Sequence, residues 1–340
     1  MSVPARRPFV IVSHALPEGW LAPLQLRCDA LIGPAEAGGL APELLAALDE
    51  AEGLFTLLTV RVGDDLLARA PRLRVVSNMA VGVDNIDLAA CTRRGIPVGH
   101  TPGVLTEATA DLAMALLLSA ARRLPESGQD AREGRWMTWS PTGWLGADLN
   151  GATLGIVGMG KIGRAVATRA NGFGLRLLYA DPNARPEVET NLGAARVELK
   201  DLLRQSDFVS LHVPFTAETR HLINEDALRA MKPTAILINT ARGGVVDSAA
   251  LVRALSEKWI GGAALDVTDP EPLPPDHPLY SFPNCLIVPH IGSATWGARK
   301  RMAELACQNL LAGLEGRPLP HCANPEVYHE HPRMDANLRE

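Results

Sequence analysis

"TLGIVGMGKIGRAVATRA", residues 153–170, decides the fold of this chain. A short apolar, β-prone run leads into Gly158, Gly160 and Gly163, and a helix-forming stretch rich in alanine follows. G-x-G-x-x-G spacing alone is a weak signal, but between a strand and a helix each glycine has a physical task. The first permits a tight turn, the second lets the backbone approach a pyrophosphate, and the third lets helix pack closely on strand. The first N–H groups of the helix then favour negative charge. The next apolar run, "LRLLYAD", ends in Asp181, about twenty residues further on, where dinucleotide-binding folds place an acid against the adenosine ribose. Its carboxylate would repel a 2′-phosphate, so the sequence predicts NAD. Arg185, close by, would offset part of that repulsion and keeps NADP as the alternative.

Outward from this segment, short β-rich runs alternate with helical ones. "FVIVS", "LFTLLTV", "LRVVSNM" and "IPVGH" precede a long helix that starts near Thr106. After a Trp- and Gly-rich stretch, residues 134–151, come "TLGIV", "LRLLYA", "DFVSLHV", "AILINTA", "GGAALDV" and "CLIVP". Continuous apolar strands of this kind belong to parallel sheets covered on both faces. The fold class predicted is α/β, with two doubly wound parallel-sheet domains; 340 residues exceed what one hydrophobic core normally organises. A last helix spans "ATWGARKRMAELACQNLLAGLEG" and stops at Gly316 and Pro318. The tail beyond reads as polar and solvated, its histidines His321, His329 and His331 too irregularly spaced for a metal site.

Composition narrows the function classes. A formal net charge of −5 argues against an electrostatic grip on nucleic acid. Five cysteines, odd in number and never at C-x-x-C spacing, suggest neither a disulfide framework nor zinc, and fit reduced thiols in the cytoplasm. The opening residues carry too short an apolar run for a secretion signal, and "LAMALLLSAA" is too short to span a bilayer. Neither a membrane nor a nucleic acid is an expected partner.

Three segments fall where later strands of the glycine-loop sheet end: "NTARGGVVD", "LDVTDPEPLP" and "VPHIGSAT". Ligands of open α/β sheets bind outside the carboxyl ends of the strands, which would gather Arg242, Glu271 and His290 in one crevice. The set suits reduction of an α-keto acid. Arginine's planar fork holds a carboxylate and polarises the carbonyl, and histidine delivers a proton as hydride reaches carbon. A neighbouring carboxylate favours the charged imidazole. On residues alone, Asp269 competes with Glu271 for that role.

"GMGKIG", "INTARGGVVD", "LDVTDPEPLP" and "PHIGSAT" resemble the signatures of the D-isomer-specific 2-hydroxyacid dehydrogenases, and the likeness covers nearly the whole chain. "NMAVGVDNIDL", "RGIPVGHTPGVLTEATADLAMALLLSAARRLPE" and "GRWMTWSP" resemble the glyoxylate/hydroxypyruvate reductase branch in particular. The resemblance implies that Arg242 binds the substrate carboxylate, Glu271 orients the histidine, and His290 is the acid/base. It implies a Rossmann-like cofactor domain, residues 103–291, inserted into a flavodoxin-like substrate domain made of residues 1–102 and 292–340. Backbone N–H groups around Ala80, Val81 and Gly82 would meet the substrate carboxylate. Thr109, Gly158, Met159, Gly160, Lys161, Ile162 and Gly163, with His212, Val213, Pro214 and Thr219 of "HVPFTAET", would line the cofactor site. So would Thr240, Ala241, Asp266, Gly292 and Ser293. Residues 122–146 would form the arm of a homodimer, with Trp139 entering the partner's site, although ordinary interface packing explains Trp136 and Trp139 as well. Branch members often carry arginines after the second strand and prefer NADPH, so "YADPNARPE" is a departure.

The expected activity is NAD(P)H-dependent reduction of glyoxylate and hydroxypyruvate to glycolate and D-glycerate. Two alternatives remain open at this level: an NADH-sensing, corepressor-like binding protein on the same fold, and the same chemistry on another small acid such as phosphite.

Overall fold

The structure, a computed structural model, describes residues 6–330. The chain divides into two compact units: one comprises the residues up to Leu105 with those from Thr295 onward, the other Thr106–Ala294. The chain therefore leaves its first unit, completes the second, and returns.

In the first unit five strands, β1 (Phe9–Val12), β2 (Asp29–Ile32), β3 (Gly53–Thr56), β4 (Val75–Asn78) and β5 (Val98–Gly99), form a parallel sheet in the order β2-β1-β3-β4-β5. This is the flavodoxin-like order. Strands β3 and β4 are buried throughout, as continuous apolar runs predict. The helix Trp296–Leu314 covers them from the far end of the sequence. Thr295 caps it by accepting the Ala298 N–H, and Ala303, Ala306 and Leu310 join Val10, Phe55 and Val75 in one core. Ser77 Oγ, buried in that core, donates to the Ala306 carbonyl at 2.8 Å.

Residues 317–330 correct the reading of a solvated tail. Asn324 is fully buried. Its Oδ1 accepts the Val98 N–H at 2.8 Å, and its Nδ2 donates to Thr92 Oγ1 and to the Ile96 carbonyl. Cys322 makes an antiparallel bridge to Gly99. The Asn324 side chain satisfies backbone groups at and beside the edge strand β5, so the segment folds inward at this residue, while His321 and His329 stay exposed. His331 lies outside the described residues. Among the described residues no group of three His, Cys, Asp or Glu side chains is arranged to hold a metal ion.

In the second unit seven strands form a parallel sheet: β6 (Thr153–Val157), β7 (Arg176–Ala180), β8 (Ala195–Arg196), β9 (Phe208–Leu211), β10 (Ile236–Asn239), β11 (Gly262–Leu265) and β12 (Cys285–Ile287). Their order is β12-β11-β10-β9-β6-β7-β8. Strand order reverses between β6 and β9, the switch point at which doubly wound sheets open a ligand crevice. Alternating residues feed two cores, one on each face. Leu154, Ile156, Tyr179 and Phe208 pack with the helices Thr106–Ala121 and Lys161–Gly172, whereas Val157, Leu178, Val209 and Leu237 pack with Leu203, Leu228 and Leu251.

Some local readings change. The run "LFTLLTV" is a strand only to Thr56; beyond it Leu57 and Val60 turn so that their carbonyls accept from Asn85 Nδ2. Strands β2 and β8 escape a reading based on apolar runs. Both are edge strands, one partly exposed and opening with Asp29, the other only two exposed residues long. Residues 133–150 carry neither helix nor strand, and the helix Leu124–Arg132 before them buries no residue. No helix among the described residues is long and apolar enough to cross a membrane.

Candidate active site

The glycine loop follows β6 directly. Gly158 sits at φ +94°, and a Cβ there would lie 2.7 Å from the His212 carbonyl oxygen, so the turn requires glycine both for its backbone angle and for its closeness to β9. A Cβ on Gly163 would collide with the Gly158 carbonyl, which is how the helix Lys161–Gly172 comes so near the strand. Gly160 is different: nothing lies within 4 Å of its would-be Cβ. It is the N-cap of that helix and offers no side-chain bond to the first-turn N–H groups of Lys161, Ile162 and Gly163. An uncapped N-terminus with open space above it fits a pyrophosphate.

Asp181 ends β7 with both carboxylate oxygens engaged. Oδ2 accepts the Met159 N–H at 2.8 Å, Oδ1 accepts the Asn183 N–H at 2.8 Å, and the Arg185 guanidinium lies 3.5 Å away. The acid therefore braces the glycine loop from behind, a role spacing alone does not reveal. At the switch point His212 turns its ring inward, Nε2 at 2.8 Å from Ser210 Oγ, and burial pushes it down to about 4. Val213 packs against the Gly158 turn. Thr219 Oγ accepts the Thr216 N–H and donates to the Pro214 carbonyl, so its hydroxyl shapes the loop itself.

After β10, Asn239 folds the chain around Arg242: its Oδ1 accepts the Ala241 N–H and its Nδ2 donates to the Arg242 carbonyl. Arg242 Nη1 donates to the Ala241 carbonyl at 2.8 Å. Beside it Thr240 Oγ1 is buried without a hydrogen-bond partner, an orphaned polar atom in the wall where a dinucleotide would lie. Gly243 lets this turn press against Thr268, on the loop that carries Glu271.

After β12, Val288 and Pro289 end the strand and His290 adopts φ +51°, a left-handed conformation that costs a non-glycine residue about 1–2 kcal/mol. Asp266, at the end of β11, holds it there. Its backbone carbonyl accepts the His290 N–H, and its carboxylate accepts the N–H groups of Ile291 at 2.6 Å and Gly292 at 2.8 Å. Burial lifts the Asp266 carboxyl above its ordinary range despite those donors and the nearby imidazole. The Gly292 carbonyl accepts from Thr109 Oγ1 at 3.1 Å. A Cβ on Gly292 would lie 2.9 Å from Asp266 Oδ2, so glycine lets this peptide sit close to that carboxylate. Ser293 is half-buried just beyond.

His290 Nδ1 and Glu271 Oε1 are 2.5 Å apart. Burial alone would raise the Glu271 carboxyl, but the bond and charge of His290, the Thr268 N–H and the charge of Arg242 outweigh it and hold the carboxyl below its usual range. Glu271 is therefore a carboxylate at neutral pH, and because a carboxylate only accepts, Nδ1 carries a proton in this bond and Nε2 is the ring nitrogen not engaged by Glu271. Asp269, the competitor left open by the residues, is exposed and turned toward Gly244. Arg242, Glu271 and His290 thus come together at the carboxyl ends of β10, β11 and β12, where a cation, an acid/base and its orienting group are what hydride reduction of a keto acid needs.

Ala80, Val81 and Gly82 follow β4 in the first unit, Ala80 buried and Val81 exposed. Trp139 lies in the irregular stretch after the helix Leu124–Arg132 and is 79% exposed.

Comparison with known proteins bears on this site. Residues 114–292 match the family model "D-isomer specific 2-hydroxyacid dehydrogenase, NAD binding domain". A glyoxylate reductase of Korarchaeum cryptofilum is 48% identical over 322 residues, 94% of this chain and 97% of that protein. Among solved structures, the TT0316 protein of Thermus thermophilus superposes with a TM-score of 0.87 at 49% identity, covering 93% of this chain and 99% of that one. An NADPH-dependent glyoxylate/hydroxypyruvate reductase from Sinorhizobium meliloti, solved with NADP and malonate, gives 0.81 at 33% identity, covering 94% and 98%.

Proposed function

Since the chain belongs to the D-isomer-specific 2-hydroxyacid dehydrogenases, we propose that it reduces glyoxylate and hydroxypyruvate to glycolate and D-glycerate. The observation that carries the reading is the 2.5 Å contact of His290 Nδ1 with an ionised Glu271 beside Arg242. Reduced nicotinamide dinucleotide supplies the hydride when bound; Gly158 to Gly163 would hold its pyrophosphate, Asp181 its ribose, and Thr240 and Asp266 the walls near its nicotinamide. Arg242 holds the substrate carboxylate and draws electron density from the carbonyl; in the first unit, the N–H groups of Val81 and Gly82 are the donors proposed to bind a substrate carboxylate. His290 Nε2 gives its proton to the carbonyl oxygen as the carbon is reduced, and takes it back in the reverse direction. Glu271 keeps the ring oriented through its bond to Nδ1.

Asp181 supports NADH over NADPH, since a fixed carboxylate opposes a 2′-phosphate. A homodimer through residues 122–146 is supported by the exposed Leu124, Trp136, Met137, Trp139 and Leu145, and by a groove of about 620 Å³ lined in part by Arg123, Leu145, Pro233 and Tyr280; Trp139 would reach the partner's site. Five unpaired cysteines support a reducing, cytoplasmic setting. The test is to follow absorbance of NADH and of NADPH with glyoxylate, hydroxypyruvate and pyruvate. Consumption fastest with NADH and the first two acids is expected; folded protein that consumes neither cofactor with either acid rejects the proposal.

A further inference from the structure

The turn after β4 shows an ordered pattern of backbone bonds. The Ala80 carbonyl accepts the Thr101 N–H at 2.8 Å, the Val81 carbonyl meets His100 Nδ1 at 2.9 Å, and the Gly82 carbonyl accepts from Asn78 Nδ2 at 3.0 Å. The N–H groups of Val81 and Gly82, by contrast, meet no acceptor among the described residues. In a trans peptide the C=O of one residue and the N–H of the next point in opposite directions. Pinning the Ala80 carbonyl therefore turns out the Val81 N–H, and pinning the Val81 carbonyl turns out the Gly82 N–H. Two adjacent outward donors make an anion-binding concavity.

Two of the pinning groups are side chains, and the one that sets the Gly82 N–H is His100. A carbonyl only accepts, so His100 Nδ1 carries its proton. The backbone of His100 is itself fixed: its carbonyl accepts from the buried Asn309 Nδ2 at 2.9 Å, and its N–H donates to the His321 carbonyl at 3.1 Å. The last helix and the segment after it thus hold an imidazole against the turn.

We infer that His100 is a positioning residue for the substrate carboxylate: by clamping the Val81 carbonyl it presents the Gly82 N–H to the keto acid. The inference rests on the reading that the Val81–Gly82 donors bind that carboxylate. Without the clamp the peptide is free to rotate, and the donor is lost equally to bound substrate and transition state, so KM rises while kcat stays.

The test uses full-length enzyme. His100→Leu is expected to raise KM for glyoxylate ~10-fold, the worth of about one hydrogen bond, with kcat changed by no more than about twofold. NADH affinity and the thermal midpoint should hold. His100→Asn, whose Nδ2 occupies nearly the place of Nδ1, should bring KM back to within about threefold of wild type. Should His100→Leu not fold, His100→Asp, which sets an acceptor against the carbonyl, carries the same expectation. Wild-type KM in the folded Leu or Asp variant overturns the inference, as does a loss confined to kcat or a failure of Asn to rescue. Val81→Pro deletes one of the two N–H groups and tests the underlying reading. An unchanged KM in that variant removes the reading; a raised KM there, with none in His100→Leu, removes only the inference about His100.

Discussion

His290 illustrates how a single position is determined by several weak demands. Its left-handed backbone is unfavourable by itself and is maintained by the Asp266 carboxylate beneath the following two peptides. Replacing the ring by His290→Ala should lower kcat by about 10²–10⁴-fold and leave NADH binding nearly intact, measured by steady-state kinetics and by dinucleotide fluorescence titration. Glu271→Gln removes the ionised partner and should lower kcat/KM by at least ~10-fold. The pH behaviour has a definite sign. Because the folded Glu271 carboxyl is depressed, its contribution is complete above the ordinary glutamate range and disappears as pH falls through its own lower value. In thermal melts taken with falling pH, wild type should lose its advantage over Glu271→Gln only in that acid window. The candidate catalytic trio was legible in the sequence because each member closes an apolar run in a recognisable motif. The roles of Asp266 and Asp181 as braces were not, since backbone N–H acceptors leave no spacing signature.

At the level of elements, the strand–glycine turn–helix unit separates two kinds of glycine. Gly163→Ala should destabilise the protein by about 1–3 kcal/mol, because its Cβ would enter the Gly158 carbonyl. Gly160→Ala should melt like wild type yet bind NADH more weakly, because its methyl meets no protein atom and occupies the space above the helix N-terminus. Equal melting of the two variants would contradict this division, and calorimetry with cofactor titration decides it. The central strands were readable because both their faces are covered and their sequences are apolar without interruption. Edge strands β2 and β8 were not, having one partner and mixed composition. The segment 317–330 misled for the converse reason: Asn324 is polar and yet at 0% exposure, each of its amide atoms matched to a buried group.

For the whole molecule, the two units differ in continuity. The seven-stranded sheet lies entirely within Thr106–Ala294, so that fragment, produced alone, is expected to fold cooperatively and bind NADH without turning over keto acid; absence of cooperative melting would refute the expectation. Acid should weaken the intact protein in a specific window. His212, with a folded value of about 4 against 6.5 when unperturbed, is a neutral ring turned toward Ser210. The unfolded chain takes up that proton first, so stability falls as pH drops from about 6.5 toward 4. His212→Gln should flatten that part of the midpoint-versus-pH curve. Length pointed to two domains, whereas the path of the chain between them was an expectation of the motif resemblance and not of periodicity.

The return of the chain to its first sheet also bears on synthesis. Ser77 and Ala306 are bonded across 229 positions of sequence, and the helix that roofs β3 and β4 is synthesised only after the whole of the middle unit. A nascent chain can complete the middle unit while the opening strands still wait with a greasy face uncovered, the condition under which growing polypeptides most need a chaperone.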